Sequence, residues 1–536
     1  MLNEINLYKK NKDHFNIKSK NKSIILVEYN HYCSSHLCQA LISNFIKEKT
    51  YNKIVAYYNY SLIVSPLKQK LVTKIKWFIT NLLGLKFKGI YKSFGVESFI
   101  RPNISNKVST QSEKIAINFF KHKKTKENVI DFHINKIWIG DLLYDTYLKS
   151  QIVPTIDVNS NDFKIFFREF IELFFYWKSY LEKNTVTNII GVHSCYSFGL
   201  LIRIGLNKGI PCYVVNTRDI FKLDKNIPTM FGDYILTKKI FNRLSPKIKK
   251  IGLNLAKKKI EARFKGKLVN DLFLTNISAF KKLDTSKNIL KKNKKKKVLI
   301  CTHDYFDAVH LHGKHFFSDF HTWLEYLGEL SEKKNLEYDF YLKNHPNFGN
   351  RFDRYREITD HHLNDYLKKY KRINLIPNNT SHHQIISEGI DFVLTVHGTV
   401  AMEYAYFNIP VINATRNNPH IKYNFSISPK NLNDYKKILN NLKTIKLKIN
   451  KKEIIEFYFM RYVYPDNNWL FKNYDNFLEK VNGYENIHSK IFYNYWLKFF
   501  NKKDKQRIYK SLNNFIYSKK SRMSVLDTDK FKDILK

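Results

Sequence analysis

Apolar positions along the chain fall in short blocks, each followed by a polar or glycine-containing turn and then by a stretch of helical period, the pattern of βα units feeding a parallel sheet. Residues 23–28 (SIILVE) form the first block and precede a predicted helix over 34–47, and 53–58 (KIVAYY) read as the next strand. Residues 188–192 (NIIGV) lead into a predicted helix over 197–207, and 211–215 (PCYVV) return as a strand. The period is lost at 284–297 (DTSKNILKKNKKKK), where seven lysines fall in fourteen residues, so this run reads as a solvated linker. It then restarts. Residues 298–302 (VLICT), 338–343 (YDFYLK), 373–376, 392–396 (FVLTV) and 410–413 (PVIN) are predicted strands, with a helix over 322–333. From 481 onward the chain is helical, aromatic and lysine-rich with no strand signal.

The pattern predicts an α/β protein of two Rossmann-like doubly wound domains. An N-terminal domain over 1–283, a linker over 284–297, a C-terminal domain over 298–480 and a helical tail over 481–536 account for the chain. Sheets of this kind bind ligands outside the carboxyl ends of their strands, so a cleft faced by both sheets is the expected site.

Composition changes this picture little. At 536 residues and 43% hydrophobic, the chain can bury large cores, which excludes a disordered or fibrous protein. A formal charge of +45 would ordinarily suggest nucleic acid or an anionic surface. Lys, Asn, Ile, Tyr and Phe are abundant throughout, however, as base composition alone would produce, and no nucleic-acid-binding signature accompanies the charge. Nucleic acid is therefore not an expected partner. Five widely spaced cysteines without a CxxC pair argue against disulfides and structural zinc. Residues 1–19 are polar with no signal-peptide core, and no run reaches about 18 apolar residues, so a cytoplasmic location is expected.

Three segments carry candidate chemistry. In 391–414 (DFVLTVHGTVAMEYAYFNIPVINA) a buried strand stops at His397, Gly398 permits close backbone approach, Thr399 offers a hydroxyl, and Glu403 stands one turn on to accept from ribose hydroxyls. Lys343 and His345, in Lys343-Asn344-His345-Pro346, place an ammonium and an imidazole at a strand end, where they can neutralise a leaving phosphate. Residues 301–321 hold five of the 19 histidines with three aspartates, and His303, Asp304, Asp307 and His310 are candidate sugar and phosphate contacts. The same density of imidazole and carboxylate would also suit a metal-dependent hydrolase.

The strand, Gly-Thr, Glu403 and Pro-Val sequence, together with Lys343-x-His345-Pro346, resembles the donor half of GT-B glycosyltransferases, in particular bacterial capsule and surface-polysaccharide biosynthesis enzymes. The resemblance implies a metal-independent transferase, with no obligatory cofactor, that moves a sugar from a nucleotide sugar to a capsule or lipopolysaccharide acceptor, free or lipid-linked. It implies that His345 meets the donor phosphates. In the N-terminal half a similar Gly-Asp then Tyr-Asp element spans 137–148, and with His193-Ser194-Cys195-Tyr196 it makes Asp145 and His193 the candidate catalytic groups facing the acceptor hydroxyl. His31 is a weaker acceptor-side candidate. Rival readings are a nucleotide-sugar epimerase on the same fold and a basic scaffold. Trp496, Leu497, Phe499 and Phe500 among lysines suit either packing across the domains or peripheral contact with the anionic inner face of the membrane.

Overall fold

The computed structural model describes residues 2–30, 32–59, 85–267, 278–281, 288–333, 337–345, 353–528 and 530–531. They form two compact units. The first comprises residues 1–150, 157–233 and 465–536, and the second 151–156 and 234–464.

In the first unit the strands are β1 (Ile24–Tyr29), β2 (Lys53–Tyr58), β3 (Val96–Ile100), β4 (Val186–Gly191), β5 (Cys212–Val215) and β6 (Ile220–Leu223). Their order across the sheet is β3-β2-β1-β4-β5-β6, all parallel except β6, which runs antiparallel beside β5. In the second, β7 (Lys296–Cys301), β8 (Tyr338–Lys343), β9 (Ile373–Leu375), β10 (Phe392–Thr395) and β11 (Val411–Asn413) form an all-parallel sheet of order β9-β8-β7-β10-β11. Both sheets follow the 3-2-1-4-5 order of a doubly wound fold, and in each the order reverses between its first and fourth strands. The two Rossmann-like units and the helical extension match the composition of the GT-B architecture. Central strands read as continuous apolar runs because helices cover both faces, and Leu26, Val27, Leu299, Ile300, Val393 and Leu394 are fully buried.

The compact units divide elsewhere than at the predicted boundaries. Residues 234–283, expected with the N-terminal domain, belong to the second unit as far as they are described. The helix Pro246–Phe264 packs there against the helix Lys451–Tyr458 and the π-helical turn Phe459–Val463. Packing is so close that a Cβ on Gly252 would lie 2.1 Å from the Phe459 ring. The lysine run, as far as it is described from 288 on, is likewise held in the second unit: Leu290 is buried, Ile289 and Leu290 N–H donate to Glu388 Oε2 at 2.8 and 2.6 Å, and Lys296 and Lys297 begin β7.

The C-terminal extension is part of the first unit's core rather than a separate tail. Trp496, Phe500, Ile508, Leu512 and Phe515 are buried in one cluster with Leu37, Leu41 and Phe45 of the helix Cys33–Thr50. Trp496 Nε1 donates to Asn11 Oδ1 at 3.3 Å, and Lys505 Nζ to Glu48 Oε1 at 2.9 Å. Each such buried ring or branched side chain stabilises the fold by about 1.5 to 3 kcal/mol, which a membrane-facing stripe would forgo. No described helix is long and apolar enough to cross a membrane.

Candidate functional site

At the carboxyl edge of the second sheet, β7 ends on Cys301 and β10 on Thr395, and their side-by-side pairing at the switch point brings His303 and His397 together with ring centroids 4.6 Å apart. Val396 N–H donates to His303 Nε2 at 3.2 Å, and the Thr395 hydroxyl lies 3.0 Å from the same nitrogen. Gly398 N–H donates to Thr395 Oγ1 at 3.2 Å, so a relay of N–H to hydroxyl to imidazole fixes Nε2 of His303 as the acceptor. A Cβ on Gly398 would stand 2.8 Å from Thr395 Oγ1 and 3.5 Å from His303 Cε1, which is why glycine serves at this turn.

The loop after β7 folds back over that edge. The ring of His303 stacks on Phe320 at 4.6 Å, and His315 stacks on the same phenyl at 5.5 Å. The rings of His312 and His315 lie 5.0 and 5.3 Å from that of His397, and His310 lies 5.6 Å from His315. The buried ring nitrogens Nδ1 of His312, Nε2 of His315 and Nε2 of His397 have no hydrogen-bond partner among the described residues. His345 follows β8, anchored by its N–H to Thr302 Oγ1 at 3.0 Å, and lies within electrostatic reach of both His303 and His397. Arg461, on the π-helical turn, acts electrostatically on His312, His397 and His420. Burial first, and then mutual repulsion, depresses the basicity of these imidazoles: His303, His312 and His315 fall well below the usual range, His397 to about 4 and His420 to about 3. The rings are neutral at pH 7.

Other predicted residues are held differently. Lys343 is buried, and its Nζ donates to the carbonyls of Thr380 and Asn378 at 3.0 and 3.4 Å; burial lowers its pKa to about 8. Glu403 is buried, and its Oε1 accepts from Arg263 Nη2 at 2.6 Å and Nε at 3.1 Å, so a ribose would have to share it with the guanidinium. Thr399 is exposed at the N-terminus of the helix Val400–Tyr406 and makes no side-chain cap. Asp304 accepts from Phe306 N–H through Oδ1 at 3.0 Å, and Asp307 is half-buried in the following turn. Among the described residues no group of three or more His, Cys, Asp and Glu is placed to hold a metal ion, so the hydrolase reading finds no ligand set there. Pro346 and His31 lie outside the described residues.

In the first unit, residues 137–148 are a two-residue strand, Ile137–Trp138, and the start of the helix Gly140–Gln151. Asp141 forms a buried bidentate pair with Arg203 at 2.5 and 2.6 Å, while Asp145 is buried on the same helix. His193 follows β4, and its Nδ1 accepts from Cys195 N–H at 3.1 Å.

Two buried or aimed ionisable side chains escape a pattern reading. Glu28 looks like the polar end of an apolar strand, yet it is fully buried at the first unit's switch point, where Oε2 accepts from Val192 N–H at 3.0 Å. Desolvation raises its pKa to about 8. Arg461 sits in an aromatic stretch (FYFMRYVY) with no signal beyond being the only cation in it, and the π turn that aims it is invisible to helical periodicity.

No protein-family model matches the chain. No curated protein matches it. Solved structures do. A KpsC β-Kdo 2,4-transferase from Thermosulfurimonas dismutans is 12% identical over 55% of this chain and 85% of that one, with a TM-score of 0.30. A UDP-GlcNAc 2-epimerase from Neisseria meningitidis is 8% identical over 82% and 97%, with a TM-score of 0.19. A glycosyltransferase from Rickettsia africae is 13% identical over 90% and 100%, with a TM-score of 0.21. Similarity this distant assigns neither activity nor substrate.

Proposed function

We propose that the protein is an enzyme that cleaves the bond between the anomeric carbon and the phosphate of a nucleotide sugar, and that the departing phosphate is received at the β7/β10 edge. The observation that supports this most is the convergence of His303, His312, His315 and His397 at the switch point of a doubly wound sheet, within electrostatic reach of Arg461. Donors held in place in a desolvated site stabilise charge developing on a leaving phosphate without reorganising. In this reading His345 and Arg461 meet the phosphates, Gly398 and Thr399 admit them, and Glu403 with Arg263 borders the ribose. Asp304, Asp307 and His310 line the sugar side, and Lys343 holds the β8 loop in place.

Two fates of the sugar fit this cleavage. Transfer to a capsule or lipopolysaccharide acceptor is what the motif resemblance implies, with Asp145 and His193 as the acceptor-side groups. Epimerisation is the second: the proton beside the anomeric carbon leaves with the departing phosphate to give an unsaturated sugar, and return of a proton to the opposite face with re-formation of the bond to phosphate gives the epimer, a shuttle for which several imidazoles at one sheet edge are suited by position. Neither fate calls for a metal ion. Contact with an anionic membrane, if it accompanies transfer, would rest on the lysines and on Phe499, which is 40% exposed, because Trp496 and Phe500 are buried.

A thermal-shift panel of UDP, GDP, CDP and CMP and their sugars tests the shared step: a ligand that binds only the folded state raises Tm. NMR of the stabilising nucleotide sugar, with and without a glycan acceptor and with excess chelator, separates the fates. A new sugar signal without acceptor marks an epimerase, and product only with acceptor marks a transferase. A panel with no shift contradicts the proposal.

A further inference from the structure

The β7/β10 edge is unusual for an anion site because most of its basic groups carry no charge when it is empty. From the β7 end comes His303; from the loop that follows come His310, His312 and His315; from the β8 end, His345; from the β10 end, His397; from beyond β11, His420; and from the π turn, Arg461. Tyr234 closes one side, its hydroxyl donating to the carbonyl of His312 at 3.3 Å. The carboxylates nearby have other donors. Asp319 accepts from Thr322 N–H at 2.6 Å and from the Thr155 hydroxyl at 2.5 Å, Asp304 accepts from Phe306 N–H, and Glu403 is paired with Arg263. Lys343 directs its ammonium at backbone carbonyls. His420 is hydrogen-bonded to Asn413 Oδ1 at 3.1 Å, whereas His312, His315 and His397 each keep a buried ring nitrogen with no partner among the described residues.

Resting on the reading above, we infer that this cluster captures a proton from solvent each time it binds a diphosphate, so that ligand binding and protonation of the imidazoles are one linked event. The proton leaves bulk buffer and joins an imidazole nitrogen of His312, His315 or His397, no covalent bond breaks, and the new imidazolium donates to a phosphate oxygen. The magnitudes agree. A unit negative charge about 4 Å from a ring, at an effective dielectric of about 20, raises the ring's proton affinity about a thousandfold. The pKa of His397, about 4 without ligand, is thereby raised to about 7, and the second charge of a diphosphate carries it further. Arg461 and the other imidazoles oppose a second proton, which limits uptake to about one.

Isothermal titration calorimetry at about pH 6.5 in two buffers of different ionisation enthalpy reads the linkage directly. The probes are UDP-glucose, GDP-mannose and CDP-glucose, whose diphosphate diesters do not themselves titrate in this range. The expected result is uptake approaching one proton per ligand bound, with Kd rising up to about tenfold per pH unit from pH 6 to 7. His312→Gln, His315→Gln and His397→Gln retain a hydrogen-bonding amide that cannot take the proton, and at least one of them abolishes the uptake. Binding of any probe with uptake below about 0.2 proton overturns the linkage and leaves the nucleotide-sugar reading standing. Uptake unchanged in all three variants also overturns it. Binding of none of the three probes overturns the linkage together with the reading on which it rests. The wild-type result in two buffers decides the matter even if a variant fails to fold.

Discussion

The two switch points share a strand order and bury opposite kinds of group. At β1/β4 a carboxyl, Glu28, is enclosed beside the Tyr57 hydroxyl, with Gly191 so close that a Cβ there would lie 3.2 Å from Oε2. At β7/β10 the enclosed groups are imidazoles. Burial disfavours charge in both places, so each group is neutral at pH 7, but the linkage to stability has opposite sign. Glu28, raised to about 8 from an unfolded value of 4.5, keeps in the folded state a proton that the unfolded chain has lost, so its contribution declines as pH rises from about 4.5 to about 8. His397 and His420, depressed to about 4 and about 3 from 6.5, refuse a proton that the unfolded chain accepts, so their contribution is lost as pH falls below about 6.5. One sheet edge is weakened by base and the other by acid. The same backbone frame thus leaves the chemistry of the crevice to a few side chains.

Each unit also holds a buried ion pair, Asp141–Arg203 in the first and Glu403–Arg263 in the second. Breaking either gives the largest expected effect: Arg203→Ala or Arg263→Ala leaves a buried carboxylate unpaired and costs about 3 to 5 kcal/mol in urea unfolding. If Arg263→Ala also leaves nucleotide affinity untouched, Glu403 is a structural anchor and not a ribose contact.

His345→Ala sharpens the comparison at the level of chemistry. Turnover should drop about a hundredfold or more with Tm little changed, because the residue is half-buried and acts on developing charge. A matching loss from His193→Ala with no loss from His345→Ala would move the reacting centre to the first unit.

Glu28→Gln removes the group responsible for the alkaline slope. Relative to the parent protein it should gain stability as pH rises from about 5 to about 8, by up to about 1.4 kcal/mol per pH unit. Parallel urea-midpoint curves for the two proteins would mean that Glu28 is ionised in the fold. Gly398→Ala has a smaller effect, about 1 to 3 kcal/mol, through the contact with Thr395 Oγ1 and the relay to His303.

Much of this frame is readable from the chain. The runs 53–58 and 338–343 coincide with β2 and β8, and the other predicted strands fall within two residues of observed ones, because buried parallel strands are continuous apolar blocks. β3 (VESFI) is an edge strand with two exposed residues, and β6 (IFKL) is short, so neither makes a block. The unit boundaries were not legible because residues 246–264 are lysine-rich and bury only the narrow stripe Gly252, Ala256, Ile260 and Phe264, and nothing local says which sheet such a helix covers. At the site, His303, His345 and Gly398 are visible as motif positions. The role of Arg461 depends on a π turn, and the burial of Glu28 on a neighbour 164 positions away.

Everything proposed for the second unit depends on phosphate being received between the carboxyl ends of β7 and β10. A crystal structure of the protein soaked with the nucleotide sugar that most raises its Tm tests this directly. Phosphate oxygens are expected within hydrogen-bond distance of at least two of His312, His315, His345, His397 and Arg461. Phosphates at the β1/β4 edge beside Val192, or elsewhere on the protein with those five side chains untouched, would contradict it.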